Sequence, residues 1–436
     1  MIPPAKARLG VAVRALAHRN FRLFFFGQLI SVTGTWMQSV AQGWLLITLV
    51  GPSAAIGYLG LLGICQFTPM LVLGLFGGII ADVLPKRNTV IATQAASGLL
   101  ALILAALVFS GTVQIWHILV LGFALGLVNS LDMPTRQAFV SEMAGPEDLP
   151  NAIALNSAVF NSARVVGPAI GGLLIAAIGT GLCFALNGLS YGAVVLCLLA
   201  MREDELHASE RLARPRSAGE VRANLTVGLR YIAATPTVAL ALVVVGLVAT
   251  FGMNFNVVLP VYAAGILHAG PEGLGGLYSA IGAGALVSAV AAAALARPRL
   301  RLLVGGALVF GVAELALAAT SSYIVALVAA FFAGLGSIIT AVSANSIVQT
   351  ATPGPLRGRV MGVYAMTFSG TTPIGNGLTG TIGGALGVPA ALVFNGLISA
   401  LAGVGGAVVV LRRHLRLEDP SVAPSASQEE TAEMKT

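Results

Sequence analysis

Twelve runs of about twenty or more mainly apolar residues, parted by short polar turns, take up most of this chain. A helix rises 1.5 Å per residue, so each run is long enough to cross the hydrocarbon of a bilayer. The runs fall at 21–49, 54–80, 88–110, 115–139, 151–178 and 181–201, then at 236–263, 273–296, 302–320, 323–350, 357–386 and 389–411. Of the 436 residues 57% are hydrophobic and 9% charged, against about a quarter charged in soluble domains. The 53 glycines are spread through the apolar runs rather than gathered into linkers, as close helix contacts in a membrane require. The chain reads as an all-α, polytopic membrane protein.

Cation placement sets the expected orientation. With the N-terminus inside, every Lys and Arg except Arg164 falls on a cytoplasmic segment, as the positive-inside rule demands of twelve helices with both ends cytoplasmic. The formal charge of +7 is therefore a topology signal, and nucleic-acid binding is not expected. Cys65, Cys183 and Cys197 lie inside apolar runs as small hydrophobes, and the five histidines show no metal spacing, so neither a metal nor a cofactor is expected. The basic start with Pro3 and Pro4, followed by a long apolar run, is read as a first membrane helix and not a signal peptide.

The long polar insertion 202–235 divides the chain, and its part "GEVRANLTVGLRYIAA" suits an amphipathic helix on the inner surface. The halves echo each other: "FALNGLS" (Phe184–Ser190) returns as "VFNGLIS" (Val393–Ser399). The expected organisation is a cytoplasmic segment 1–20, a six-helix bundle 21–201, the linker 202–235, a second bundle 236–411 and a cytoplasmic, disordered tail 412–436. Parallel repeats of this kind put a substrate path between the bundles near the bilayer midplane.

Several constellations carry candidate chemistry. In "GGIIADVLPKR", Gly74 and Gly78 give the second span a small face. Asp82 follows one turn on, and Lys86 and Arg87 hold the corner inside. In "VVGPAIGG" of span 5, Pro168 with Gly167, Gly171 and Gly172 permits either tight packing or a bend. Gln28, Ser31, Thr35, Gln38 and Gln42 recur at spacings of three and four on one face of span 1. Amides there avoid lipid, facing a wet cavity or another helix. Asn129, Asp132 and Arg136 share a face of span 4, where Asp132 has two candidate partners, Arg136 and Arg164. Glu314 in span 9 has no evident partner and is a candidate for proton coupling.

The corner "GGIIADVLPKR" resembles the loop 2–3 signature of the major facilitator superfamily at Gly78, Asp82, Lys86 and Arg87, and departs from it at Val83 and Pro85. "TGTWMQSVAQGWLL", "DMPTRQAFVSEM", "NAIALNSAVFNSARVVGPAIGGLL" and "LRGRVMGVYAM" resemble the bacterial branch holding the enterobactin exporter and macrolide-efflux proteins. The resemblance implies two pseudo-symmetric six-helix bundles that rock about a central site, with helix 1 lining the cavity. It implies that Asp82 latches onto the start of span 11 near Arg357 and Arg359, and that the span 5 motif marks an antiporter. No nucleotide-binding loop is present in the sequence, so a proton gradient is the expected energy source. The expectation is a monomeric exporter of a bulky, partly apolar small molecule in the bacterial cytoplasmic membrane. The alternatives are a nutrient importer of the same fold, a non-transporting receptor, and a membrane enzyme built on the loosely grouped acids Asp82, Glu142, Glu147 and Asp148.

Overall fold

The structure is a computed structural model that describes residues 13–207, 218–294 and 299–412; for residues 74–83, 218–225, 293 and 294 it describes the backbone alone. Every regular element among the described residues is helical. The first part of the chain forms α1 (Arg19–Val50), α2 (Pro52–Val83), α3 (Lys86–Phe109), α4 (Ile115–Ile178) and α5 (Thr180–Leu199). A surface helix, α6 (Ala218–Ala234), follows where the amphipathic stretch was expected. Then come α7 (Pro236–Leu247), α8 (Phe255–Gly265), α9 (Pro271–Ala294), α10 (Leu300–Ala319) and α11 (Tyr323–Ala351). The fold closes with α12 (Gly354–Ser369), α13 (Thr372–Leu386) and α14 (Val388–Arg412). Among the described residues nine helices, counting α7 with α8 as one, are long and apolar enough to cross a membrane.

One helix end carries the basic turns, such as Leu84–Pro85 and the stretch after Leu199; the other is joined by short turns without Lys or Arg. At that second end Gly51, Gly179 and Gly387 have φ of 78°, 82° and 88°. This left-handed conformation ends one helix and starts the next within a single residue.

Four runs depart from the expected lengths. Spans 4 and 5 were expected as separate helices with a polar turn at 140–150, but α4 runs unbroken through 64 residues except at Gly145 (φ 70°, ψ 170°). The chain reverses there, because the Arg136 guanidinium lies 5.5 Å from the Phe160 ring on the second arm. Glycine is favoured there by the left-handed φ, and an added Cβ would also press on the exposed His207 ring, 2.9 Å from its Nε2. Pro146 opens the second arm, where its missing N–H has no partner to lose.

The runs 236–263 and 357–386 were read as continuous, but both are broken. A π turn, Val248–Gly252, separates α7 from α8, and Asn254 Nδ2 donates to Thr250 O (2.9 Å) and Phe251 O (3.1 Å). That side chain competes with helical backbone pairing. In the other run Gly370 ends α12 and Pro373 sits in the first turn of α13. The breaks face each other, since Thr250 Oγ1 donates to Thr371 Oγ1 at 2.6 Å.

The internal repeat has structural content. Asn187 is fully buried and donates to Gln38 Oε1 of α1 at 2.7 Å. Its counterpart Asn395, also buried, meets Thr379 Oγ1 at 3.4 Å, and Asn254 Nδ2 donates to that same hydroxyl at 3.1 Å. A Cβ on Gly34 would lie 2.8 Å from Ser190 Oγ, and one on Gly252 would lie 2.8 Å from Ser399 Oγ. In each copy of the repeat the serine thus lies against a glycine of another helix and the asparagine is buried against a polar side chain.

Helices from the two sides of the linker meet along two long seams, and α8 also packs on α1, where a Cβ on Gly43 would lie 2.7 Å from Pro260 Cγ. On one, a Cβ on Gly172 of α4 would lie 2.6 Å from Pro271 O and 3.1 Å from Gly275 Cα of α9. Farther along, Ser279 Oγ donates to Val165 O at 2.8 Å, and a Cβ on Gly282 would lie 2.8 Å from Arg164 O. On the other, a Cβ on Gly60 of α2 would lie 2.8 Å from both Asn376 O and Gly380 Cα of α13. Both seams run from the end with the short turns to about mid-length. Toward the basic end Ile153, Ala154, Ser157 and Ala158 of α4 and Arg357, Gly358, Arg359 and Gly362 of α12 are exposed.

Candidate functional site

The first side of the chain holds a buried polar cluster at mid-depth. Asp132 is 2% exposed, and its Oδ1 accepts from Thr93 Oγ1 (2.6 Å) and Gln94 Nε2 (3.0 Å) of α3. Its other oxygen pairs with Arg136 NH2 at 3.3 Å, one turn away on α4. Arg136 NH1 donates to Gln28 Oε1 at 2.8 Å, and the guanidinium faces Phe160. Of the two expected partners of Asp132, the on-helix Arg136 is the one observed. Arg164 stands apart, 5.6 Å from the Trp36 ring centroid.

Most of the polar face of α1 lies against its neighbours, with Thr35 exposed. Gln28, Ser31, Gln38 and Gln42 are buried, and Thr35 Oγ1 reaches the Tyr191 hydroxyl at 3.1 Å. Thus Gln28, Thr35 and Gln38 join α1 to α4 and α5, and Asn129 is half-buried on α4, three residues before Asp132. The span 5 motif packs the same region together. A Cβ on Gly167 would lie 2.6 Å from Thr33 O, one on Gly171 would lie 3.1 Å from Met37 Cα, and Gly172 faces α9. Pro168 sits within the arm, which has no non-helical residue other than Gly145.

The second side carries its own polar string. From Thr371 it passes through Thr250, Asn254 and Thr379 to Asn395, and Ser399 Oγ donates to Asn395 O at 2.9 Å. Glu314 is 1% exposed on α10, with its Cβ 3.1 Å from where a Gly396 Cβ would sit. Glu314 Oε2 and Asn254 Oδ1 are buried without a hydrogen-bond partner. Sequence reading missed Thr93, Gln94, Asn187, Tyr191 and most of this string; the signal was polar residues inside apolar runs, above all the asparagine repeated in "FALNGLS" and "VFNGLIS".

At the basic end the corner cations clip helices within the first side. Lys86 pairs with Glu142 at 2.5 Å, and Arg87 donates to Leu198 O at 2.9 Å and to Glu203 Oε1 at 2.6 Å. Arg87 thereby satisfies the last carbonyls of α5. Asp148 pairs with Arg14 at 2.9 Å and with His18 at 2.8 Å, and Glu147 lies 3.5 Å from Arg14. Glu142, Glu147 and Asp148 thus each face a cation, and no metal-type cluster occurs among the described residues. Gly74, Gly78 and Asp82 lie outside the residues whose side chains are described, while Arg357 and Arg359 are exposed near the start of α12. The backbone of Arg359 lies beside α6, 3.4 Å from where a Gly228 Cβ would sit, and Tyr231 Oη of α6 donates to Ala351 O at 2.6 Å.

Comparison with known proteins agrees with this architecture. The multidrug efflux pump Tap of Mycolicibacterium fortuitum is 28% identical over 405 residues, 91% of this chain and 97% of that one. The enterobactin exporter of Escherichia coli is 26% identical over 420 residues, 94% of this chain and 96% of that one. The staphyloferrin A transporter of Staphylococcus aureus is 28% identical, but the match spans only 41% of this chain and 44% of that one. Among solved structures, a POT family transporter in complex with a thioalcohol-conjugated peptide superposes with a TM-score of 0.72 at 13% identity, covering 90% of this chain and 96% of that one. A bacterial homologue of the lysosomal transporter Spinster, inward-facing and occupied, gives 0.69 at 13% identity over 94% and 98% of the two chains. A family profile described as "transmembrane secretion effector" matches residues 11–435. The chain belongs to that family, within the major facilitator superfamily, and is a membrane transporter rather than an enzyme.

Proposed function

We propose that the protein is an exporter of a bulky, partly apolar small molecule, driven by the proton gradient and working as a monomer in the bacterial cytoplasmic membrane. The observation that carries the reading is the pair of seams, closed at one end while exposed helix faces line the other. Such an arrangement suits alternating access, with two bundles rocking around a site at mid-depth. Efflux is favoured by the full-length relatives, a multidrug pump and a siderophore exporter by name.

Twelve crossings accord with the nine apolar helices. The two arms of α4 count separately, α12 with α13 make one broken crossing, and α1 is the last. Its amides lower the hydropathy of α1 without shortening it. The positive-inside rule, applied to the cations at the basic end, favours both chain ends in the cytoplasm, and the proposed bundles are 21–201 and 236–411.

The deciding experiment compares accumulation of a drug and siderophore panel in cells with and without the gene, each with and without a protonophore. Expression should lower accumulation of at least one compound, and the protonophore should abolish the difference. Unchanged accumulation across the panel would exclude export.

Two residues test the mechanism separately. Asp82 is proposed as the latch that meets the start of α12 when the basic end closes. Asp82→Asn is then expected to slow transport about tenfold or more with binding little changed, since a gating contact weighs on the conformational equilibrium. Equal losses of rate and affinity would count against a latch. Glu314 packs against α14, away from both seams. Glu314→Gln keeps its size and hydrogen-bonding capacity, so the flux should change less than about twofold. Loss of protonophore sensitivity in that variant would instead make Glu314 a coupling acid.

A further inference from the structure

Arg164 is the one cation that the expected topology does not assign to a cytoplasmic segment, and its surroundings are unusual. It sits near the middle of the second arm of α4, its guanidinium carbon 5.6 Å from the ring centroid of Trp36, itself near the middle of α1. Its backbone lies on the seam, against Gly282 at the middle of α9. The nearest comparable carboxylate in depth, Asp132, is held by Thr93, Gln94 and Arg136. Glu314 is buried between α10 and α14, and Glu272 packs two turns nearer the closed end, beside Gly172. Among the described residues no carboxylate pairs with Arg164, which is largely but not fully buried.

A guanidinium at this depth is tolerated where it faces a partner or a water-filled cavity, not lipid. A cation–π contact with an indole engages the charge of the guanidinium without occupying its N–H donors. Those donors form a planar fork matching the two oxygens of a carboxylate. We infer that Arg164, flanked by Trp36, is the docking point for an anionic group on the transported molecule, which selects acids over their neutral analogues. The inference rests on the transport reading and adds a substrate class: an amphiphile with an apolar or aromatic body and a carboxylate-like group. Trp36 supplies the flank for the body, and Arg164 holds the charge.

The test uses the full-length protein in proteoliposomes and two matched probes, dansylglycine and dansylglycinamide. Binding is read by energy transfer from tryptophan, and flux by accumulation in the vesicles. The acid should bind at least about tenfold more tightly than the amide, as a charge-assisted contact implies. Arg164→Gln should bring the ratio to within about twofold without weakening the amide. Arg164→Lys, which keeps the charge but loses the fork, should reduce the preference to a few fold; it also serves if the glutamine variant does not give monodisperse protein. Equal binding of the two probes by the wild type, or a preference unchanged in either variant, overturns the inference. Flux of both probes without charge preference would sink the inference and leave the transport reading. Selective binding of the acid with no flux of either probe would keep the site and sink that reading.

Discussion

Arg136→Leu should cost about 3–5 kcal/mol of stability and most of the transport activity, because it strands Asp132 as a buried charge. Asp132 would keep its hydrogen bonds from Thr93 and Gln94 but lose its counter-charge, and Gln28 would lose the donor that satisfies its Oε1. Asp132→Asn should be milder. An asparagine oxygen still accepts from Thr93 and Gln94, and Arg136, with 16% of its side chain exposed, retains Gln28 and the Phe160 ring. The double variant should therefore recover much of what Arg136→Leu loses, with a coupling of about 1–3 kcal/mol in a double-mutant cycle. Thermal unfolding in detergent measures the stabilities and vesicle flux the activity. Strict additivity would mean that the two side chains merely lie near each other. Recovery of stability without recovery of flux would separate a structural role from one in the transport cycle.

That cluster also marks how far the sequence could be read. Helix positions came from apolar run length, and lipid leaves the backbone few alternatives, so α1, α3, α5, α9, α10, α11 and α14 begin and end within about three residues of the runs. What hydropathy does not encode is where an apolar helix stops pairing with itself. The breaks after Leu247 and Ser369 arise from one asparagine, one glycine and one proline inside apolar sequence, and they matter because they join through Thr250 and Thr371. The turn at Gly145 was read as a polar loop because charges surround it, yet Glu142, Glu147 and Asp148 sit on helical turns and pair with Lys86, Arg14 and His18.

Partners were harder to read than positions. The spacing on α4 allowed Asp132 to meet Arg136 or Arg164, and only the packing of α3, which brings Thr93 and Gln94 onto the same carboxylate, separates them. Period alone put the amides of α1 on one face, but not Asn187 and Tyr191 opposite them. Lys86 and Arg87 read as topology charges; in the structure they also tie α3 to α4 and to the end of α5.

Two adjacent glycines offer the sharpest test of whether the closed seam moves. Gly171 and Gly172 are chemically identical neighbours, but an added side chain would meet different helices: Met37 of α1 for Gly171, and Pro271 to Gly275 of α9 for Gly172. Gly171→Leu overpacks contacts made to α1 on the same side of the linker, so it should lower stability by about 1–3 kcal/mol. Gly172→Leu wedges the seam itself. The same steric cost then falls chiefly on the seam-closed conformation and shifts the population toward opening about tenfold or more. A reporter cysteine at Ser279, whose hydroxyl bridges the seam to Val165 O at 2.8 Å, reads this directly once Cys65, Cys183 and Cys197 are replaced by alanine. In right-side-out vesicles, an impermeant maleimide should label Ser279→Cys about tenfold faster with Gly172→Leu and at the parent rate with Gly171→Leu. Flux should fall severely in the Gly172 variant, since a transporter unable to reclose this end cannot complete a cycle. Equal labelling in the two variants would mean that the seam is a fixed weld, and the moving parts would have to be sought elsewhere.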